Sequence, residues 1–586
     1  MSEQTLEVAI VGAGCAGAYT AWRLAKSGKY APGTVKVFDF LKIDNQAHVG
    51  GRLLSKEMPG LGYTRKAELG GMRFLTSQKI LVGVLEELGL EHVPFDVDSN
   101  HNLYDMRSKV MKATKVAREA KDVYDLSPPE RDMSPGELLL WAVETVVPHA
   151  PFLDSEGWLE AKKNIKFDGR NLYDTGFWNL LQRVLSSEGY DYVLTGQGYN
   201  TIPSNWNAAD AIEWMFEDFG PNVSYRYVHK GFQTVPKTLL EKAVEGGVVF
   251  EENRKLKRWE KNGDGTVTMT FENTDSGEEI RIKAKKMVLA MPRRALELVD
   301  MPKDNEMDTF YNELLPAVEP QPMFKFFLGY DLPWWRSLGI SFGRTITDNP
   351  LRQIYYWGVN DQKFFKTAPE KTGNVKNLPA NGVIMIYLDG RDVSFWQPLF
   401  ELISIYKKTL NIKDEKHFGL MEFSVDEVKA KVKEKVRSLK LELDAAEKKY
   451  EAVKDFGAEG EDAMMLTETG ILFARAKRNF EKVLSGESSV DQLIGTISEL
   501  MRSAHGLQFI PDPYAISYAD WTVDPFGGAY NLWKPGFRSW EVTQEMIKPF
   551  GNVDAYVVGE AYSLKQGWVE GAFETSEQML EKYFSL

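Results

Sequence analysis

The sequence predicts a mixed α/β fold in which a dinucleotide-binding domain is interleaved with a mixed-sheet domain and a helical domain. Three observations predict it. A short apolar strand, a glycine-rich turn, a helix and a second strand ending in an acid follow one another at the N-terminus. Strand-like runs return much later, at 247–291, 321–330 and 382–388. Helical stretches separate them, with no low-complexity tract or flexible linker to divide the chain into consecutive blocks. A length of 586 residues suggests about two to four domains.

Residues 6–11 form an apolar run of strand length, and 18–27 carry Ala, Leu and Trp at helical spacing. Residues 35–38 read as a second strand, ended by Asp39. Between the first strand and the helix, Gly12-Ala13-Gly14-Cys15-Ala16-Gly17 matches G-x-G-x-x-G. The first glycine permits a tight turn. The second lets backbone approach a pyrophosphate, and the third lets helix and strand pack closely. Phosphates then sit on free N–H groups at the positive end of a helix. Asp39, 22 residues after Gly17, stands where an acid accepts hydrogen bonds from a ribose. Gly12, Gly14, Ala16, Gly17 and Asp39 are therefore candidate cofactor contacts.

The motif alone does not separate FAD from NAD. Two features favour FAD. Gly50-Gly51-Arg52 follows the second strand, where Arg52 can neutralise the same pyrophosphate. Near the other end, a strand closes in Gly559-Glu560, and Gly567-Trp568-Val569-Glu570-Gly571-Ala572 opens the last helix. A flavin lying across two chain segments suits that arrangement.

The middle of the chain reads in blocks. Residues 116–230 are mostly helical in pattern and rich in Trp and Tyr. Residues 247–291 alternate polar and apolar around a turn at 273–277 and close in the buried run 287–292. From Val425 to Val453 apolar residues recur at steps of three and four, after a capping box of Ser424 and Glu427, with Gly457 as the expected stop. A second helical stretch near 472–484 completes a hairpin between sheet segments. It reads as a packed arm or as an oligomer contact.

Composition excludes several classes. The net charge of −13 repels phosphate backbones, so nucleic acid is not an expected partner. A single cysteine, Cys15, excludes an intramolecular disulfide. There is no apolar run of membrane-spanning length. No signal peptide is visible at the N-terminus, and Phe584-Ser585-Leu586 is not the peroxisomal tripeptide. The expectation is a cytoplasmic protein, with non-classical export left open. The seven histidines form no i, i+4 pair, and no Walker A loop or G-x-S-x-G elbow occurs.

At these residues the sequence resembles the flavin amine-oxidase superfamily, and within it the L-amino acid oxidase branch. Further blocks carry the resemblance: Glu68-Leu69-Gly70-Gly71-Met72-Arg73-Phe74, Val235-Pro236, Met287 to Pro292, Phe324-Lys325-Phe326-Phe327, Thr345 to Tyr356 and Trp521 to Gly528. The resemblance implies that Gly51, Arg52, Gly70, Gly71, Met72, Arg73, Trp521, Gly559, Glu560, Gly567, Trp568, Val569 and Ala572 contact FAD. It implies that Arg73 clamps the substrate α-carboxylate, as a guanidinium fork does well. Tyr387 supports that carboxylate, Trp568 walls the site, the Gly567 carbonyl accepts from the amine, and Lys325 holds a water near the reactive flavin nitrogen. A lysine flanked by Met323, Phe324, Phe326 and Phe327 is itself unusual for a core strand.

The implied reaction is oxidative deamination of an L-amino acid, with O2 as acceptor and with 2-oxo acid, ammonia and hydrogen peroxide as products. An amine or polyamine oxidase, an amino acid 2-monooxygenase and a non-catalytic flavoprotein remain open alternatives. A homo-oligomer is expected. The expected division is an FAD domain from 5–60, 231–305 and 546–586, a substrate domain from 61–115, 306–423 and 500–545, a helical domain at 116–230 and the arm at 424–499.

Overall fold

A computed structural model describes residues 5–43, 46–58, 65–220, 223–302, 305–359, 381–409, 420–453 and 461–586; the expected stop at Gly457 lies outside them. In the first sheet Leu6–Val11 is central, parallel to Val35–Phe38 on one side and Glu279–Leu289 on the other. Val249–Glu251 and Ala555–Val557 extend the parallel run outward. Parallel strands need crossovers, and here helices serve: Cys15–Ser27 packs against Thr234–Glu245 and Val569–Met579 over one apolar face. The far half of Glu279–Leu289 pairs antiparallel with Val267–Asn273, which pairs with Arg254–Lys261. That hairpin accounts for the alternation read at 247–291. The sheet thus draws on three distant parts of the chain. Its C-terminal edge, where Val11, Phe38, Leu289 and Val557 end, is where open α/β sheets bind ligands.

The second sheet runs, edge to edge, through Lys109–Lys112, Leu103–Met106, Arg344–Thr347, Gln353–Val359, Gly382–Asp389, Met323–Tyr330, Ala515–Asp520 and Leu420–Ser424. Met323–Tyr330 is buried at every position. Alternation explains how one strand serves two layers. Phe324, Phe326, Leu328 and Tyr330 point into the core shared with the arm, while Met323 and Phe327 point to the other side, toward Leu41, Leu54, Leu69 and Met72. Helix Lys79–Glu87, inside the segment 61–115, packs on Val569–Met579 and adds Leu81, Val84 and Leu85 to the core of the first sheet.

The arm is an insertion between two paired strands, Leu420–Ser424 and Ala515–Asp520. Helix Val425–Val453 begins with the Glu427 amide donating to Ser424 Oγ at 3.3 Å. Its partner, Glu461–His505, is far longer than the stretch read at 472–484; at 45 residues it spans about 68 Å. The longer extent went unread because its two ends differ. The base repeats Val490, Leu493, Ile494, Ile497 and Met501 against Val425, Val428 and Val432, whereas Leu472 farther out is exposed. There Tyr450 stacks on Phe473, ring centroids 5.5 Å apart. The segment 116–219 folds as short helices around its own core, including Trp158, Phe177 and Trp206. No helix among the described residues is long and apolar enough to cross a membrane.

Burial at the arm's base predicts where its stability resides. Ile497→Ala, at a fully buried site, should destabilise by about 2–5 kcal/mol. Leu441→Ala, at an exposed one, should cost less than about 0.5 kcal/mol. Urea midpoints of the two variants check this, and equal midpoints would contradict the core assignment.

Candidate active site

The C-terminal edge of the first sheet opens into a cavity of about 260 Å³, against about 10 Å³ for the neighbouring one beneath Gly559. The glycine turn forms its floor. Gly12 adopts φ +106°, and a Cβ on Gly17 would stand 1.9 Å from the Gly12 carbonyl oxygen. Only glycine permits that approach of helix to strand. Asp39 holds the turn: one carboxylate oxygen accepts from Ala13 N at 2.5 Å, the other from Phe40 N and Leu41 N at 2.7 and 2.9 Å. Burial raises its pKa, and these backbone donors oppose the shift. Helix Cys15–Ser27 has no side-chain cap at its start, so its first N–H groups are left to a ligand.

The side wall is tied together by one carboxylate. Glu560 Oε1 accepts from Asn531 N and Gly567 N, both at 2.9 Å; Oε2 accepts from Asn531 Nδ2 at 3.1 Å and pairs with Arg52 Nη2 at 2.9 Å. Arg52 Nη1 donates to the Ala529 carbonyl at 2.9 Å. The last loop, the second glycine loop and the strand Tyr530–Trp533 are thereby fixed around the cavity.

Strand register builds the other end. Lys325 lies opposite Tyr387, and Tyr387 opposite Gln353, on the face turned toward Leu69 and Met72. Lys325 is therefore buried, not facing water. Its Nζ donates to the Gly70 carbonyl at 2.5 Å and lies 3.4 Å from that of Glu68. Burial pushes its pKa down to about 7, aided by Arg73 and resisted by Glu68. Burial likewise pushes Glu68 up to about 7. The Glu68 carboxylate is held by Ser55 Oγ at 2.7 Å and Phe232 N at 2.9 Å.

Arg73 is buried but remains a cation. Desolvation opposes its charge, yet Tyr199, Tyr225, Tyr355 and Asp218 hold its pKa well above the usual value. Its Nη1 has no acceptor among the described residues.

Of the sequence-derived candidates, Gly12, Gly14, Ala16, Asp39, Gly51, Arg52, Gly70, Gly71, Met72, Arg73, Lys325, Tyr387, Gly559, Glu560, Gly567, Trp568, Val569 and Ala572 all line this one cavity. Gly17 supports the turn from behind. Trp521 also lies behind the wall, where its indole donates to the Leu69 carbonyl at 2.7 Å. Lining residues that the sequence candidates left out include Tyr199, Trp214 and Asp218. The helix Ala208–Phe219 explains the last two. Trp214 and Asp218, four apart, line the cavity, while Glu213 and Glu217, also four apart, pair with Lys565. Spacing along the helix does not by itself say which of these three acids faces inward. Tyr199 follows a helix C-cap at Gly198 and carried no periodic signal. No group of three or more His, Cys, Asp or Glu among the described residues is placed to hold a metal ion.

These features fit a flavin dinucleotide: a bare helix start, an acid beside the turn, and a cavity lined by segments from both ends of the chain. Residues 16–399 match the family described as flavin containing amine oxidoreductase.

The chain belongs to that family. Its cofactor is FAD, and it is an amine-oxidising flavoenzyme. Aplysianin-A of Aplysia kurodai is 26% identical over 610 residues, covering 99% of this chain and 91% of that protein. Achacin of Lissachatina fulica is 25% identical, with 99% and 93% covered. An L-amino-acid oxidase of Siganus canaliculatus is 25% identical over 60% of this chain and 61% of its own. Among solved structures, putrescine oxidase bound to putrescine superposes with TM-score 0.59 over the full length of both chains, at 15% identity, which shows the shared fold.

Two predictions follow from this geometry. Gly17→Ala should yield protein with most of its visible flavin absorbance lost, because the helix cannot close on the turn; a full flavin complement would contradict that. The second concerns pH. Neutral Lys325 uses two N–H groups on carbonyls and keeps a lone pair, so activity should rise as Nζ loses its proton near pH 7. Glu68→Gln removes the anion that retains this proton and should move the limb to lower pH. Lys325→Met should abolish it. A limb unchanged in both variants would assign the titration elsewhere.

Proposed function

We propose that the protein oxidises free L-α-amino acids to imino acids, which hydrolyse to 2-oxo acids and ammonia while O2 is reduced to hydrogen peroxide. The observation that carries this reading is Arg73. A buried guanidinium whose Nη1 has no acceptor among the described residues, set in a cavity wall, is a site for an anion, and an amino acid has one where a simple amine does not. Tyr387 adds a hydroxyl on the same wall, with Lys325 Nζ 5.2 Å from its ring centroid. The similarity to L-amino-acid oxidases supports the same substrate class.

Bound FAD supplies the two-electron acceptor for the hydride leaving Cα. The chain supplies position and exclusion of water. In this reading Arg73 Nη1 and the Tyr387 hydroxyl take the carboxylate. The Gly567 carbonyl takes the amine, and Trp568 with Trp214 closes the apolar side. Lys325 Nζ, poised near neutrality, holds or takes a proton beside the reacting atoms. Glu560 keeps the Gly567 loop in place through the amide it accepts.

The test is anaerobic. L-Leucine should bleach the flavin, and colour and peroxide should return on air. 3-Methylbutylamine, the same skeleton without the carboxylate, should bleach it poorly. Arg73→Met should raise KM for L-leucine by roughly 100-fold while leaving the amine's kinetics nearly unchanged. Equal turnover of the amine and the amino acid, with Arg73→Met indistinguishable from wild type, would place the protein among amine oxidases.

A further inference from the structure

We infer that Asp218 is a positioning residue for the carboxylate clamp: together with Tyr225 it holds the Arg73 guanidinium in the one orientation that offers Nη1 to the substrate. This rests on the reading of Arg73 given under the proposed function.

Arg73 is fixed on three sides. The guanidinium carbon lies 4.0 Å from the centroid of the Tyr225 ring. Nη2 donates to the Tyr199 hydroxyl at 3.2 Å and lies 3.8 Å from Asp218 Oδ1. Both polar contacts fall on one nitrogen. Nη1 has no acceptor among the described residues. A planar fork held at one tip and stacked on one face has little freedom to turn.

Asp218 is fixed in its turn. The Tyr225 hydroxyl donates to Asp218 Oδ1 at 2.5 Å and also contacts the Asp218 carbonyl. One tyrosine therefore stacks its ring on the arginine and places its hydroxyl on the acid that pairs with that arginine. The three side chains close a ring of contacts. They come from separate segments: Arg73 follows the glycine pair, Asp218 ends helix Ala208–Phe219, and Tyr225 starts strand Tyr225–Val228.

A second buried arginine is kept from competing. Arg344 Nη1 donates to Gln353 Oε1 at 2.6 Å and lies 3.4 Å from the Tyr355 hydroxyl and 3.5 Å from that of Tyr199. Its Nε faces Asp98 at 3.4 Å. The charge of Arg344 still reaches Asp218, but the ion pair that Asp218 makes is with Arg73. The clamp is oriented before any substrate arrives, which lowers the ordering that binding must impose.

The experiment uses the holoenzyme and two probes. 4-Methylpentanoate has the leucine skeleton with a carboxylate and no amine; 3-methylbutylamine has the amine and no carboxylate. Each is titrated against the flavin absorbance of wild type, Asp218→Asn, Tyr225→Phe and Arg73→Met, alongside steady-state kinetics with L-leucine and L-lysine. Asp218→Asn should weaken 4-methylpentanoate by roughly 10-fold or more and raise KM for both amino acids alike, with kcat changing less than about 3-fold. Binding of 3-methylbutylamine should not change. Tyr225→Phe keeps the stacked ring and loses the hydroxyl, so it should shift the same quantities in the same direction by less. If Arg73→Met loses 4-methylpentanoate and Asp218→Asn does not, the positioning role fails and the clamp stands. If Arg73→Met also binds it normally, the clamp fails and this inference with it. A penalty confined to L-lysine would show instead that Asp218 reads a cationic side chain. Should Asp218→Asn not retain flavin, Tyr225→Phe alone decides: unchanged carboxylate binding overturns the inference.

Discussion

A cation taken out of water is costly unless protein groups replace its hydration, and two buried cations line this cavity. Arg73 and Lys325 are both buried, and the arginine's field works against the lysine's charge. The structure resolves this conflict differently at each. Around Arg73 it gathers an acid, a stacked phenol ring and a hydroxyl, so the guanidinium stays charged. Around Lys325 it supplies carbonyl oxygens and one acid that is itself pushed toward neutrality, so the amine is left near its titration point. One cation is thereby suited to hold an anion and the other to exchange a proton.

Much of the surrounding architecture serves to keep these groups in place. The strand that carries Lys325 is buried on both faces, so its charge cannot swing to solvent. The carbonyls that receive Nζ belong to the segment Glu68–Gly71. That segment is itself held by hydrogen bonds from Trp521 to Leu69 and from Ser55 and Phe232 to Glu68. Glu560 plays the matching part at the chain's other end, joining Arg52, Asn531 and Gly567. A wall assembled from segments hundreds of residues apart needs such cross-links, because no single element spans it.

The arm stands apart from this network yet shares a core with it. Val425, Val428 and Ile497 pack with Phe324, Phe326 and Leu328, the residues on the reverse side of the Lys325 strand. His505, at the end of the longer arm helix, donates from Nδ1 to the Met501 carbonyl and accepts at Nε2 from the Tyr356 hydroxyl, both at 2.7 Å; Tyr356 is one residue from Tyr355 beside Arg344. Burial pushes this histidine down to about 4, so it stays neutral as part of the packing.

The division between what could be read and what had to be seen follows the range of the forces involved. The glycine turn, its strands and the acid at Asp39 were legible because a βαβ unit is local: its sterics act within some thirty residues. The arm helix from Val425 was legible for the same reason, through its apolar period and its cap. Lys325 was conspicuous because an ion among phenylalanines breaks a local pattern, and the family resemblance gave it a role. Sequence did not show that Asp218 turns inward while Glu213 and Glu217 turn to Lys565, since four-residue spacing places acids on faces without saying what each face meets. Nor could it show that Trp521 stands behind the wall, or that Tyr199 and Tyr225 surround Arg73. Those outcomes depend on which remote segments supply a counter-charge or an acceptor, and only the tertiary structure decides that, because burial and electrostatic compensation act between neighbours in space.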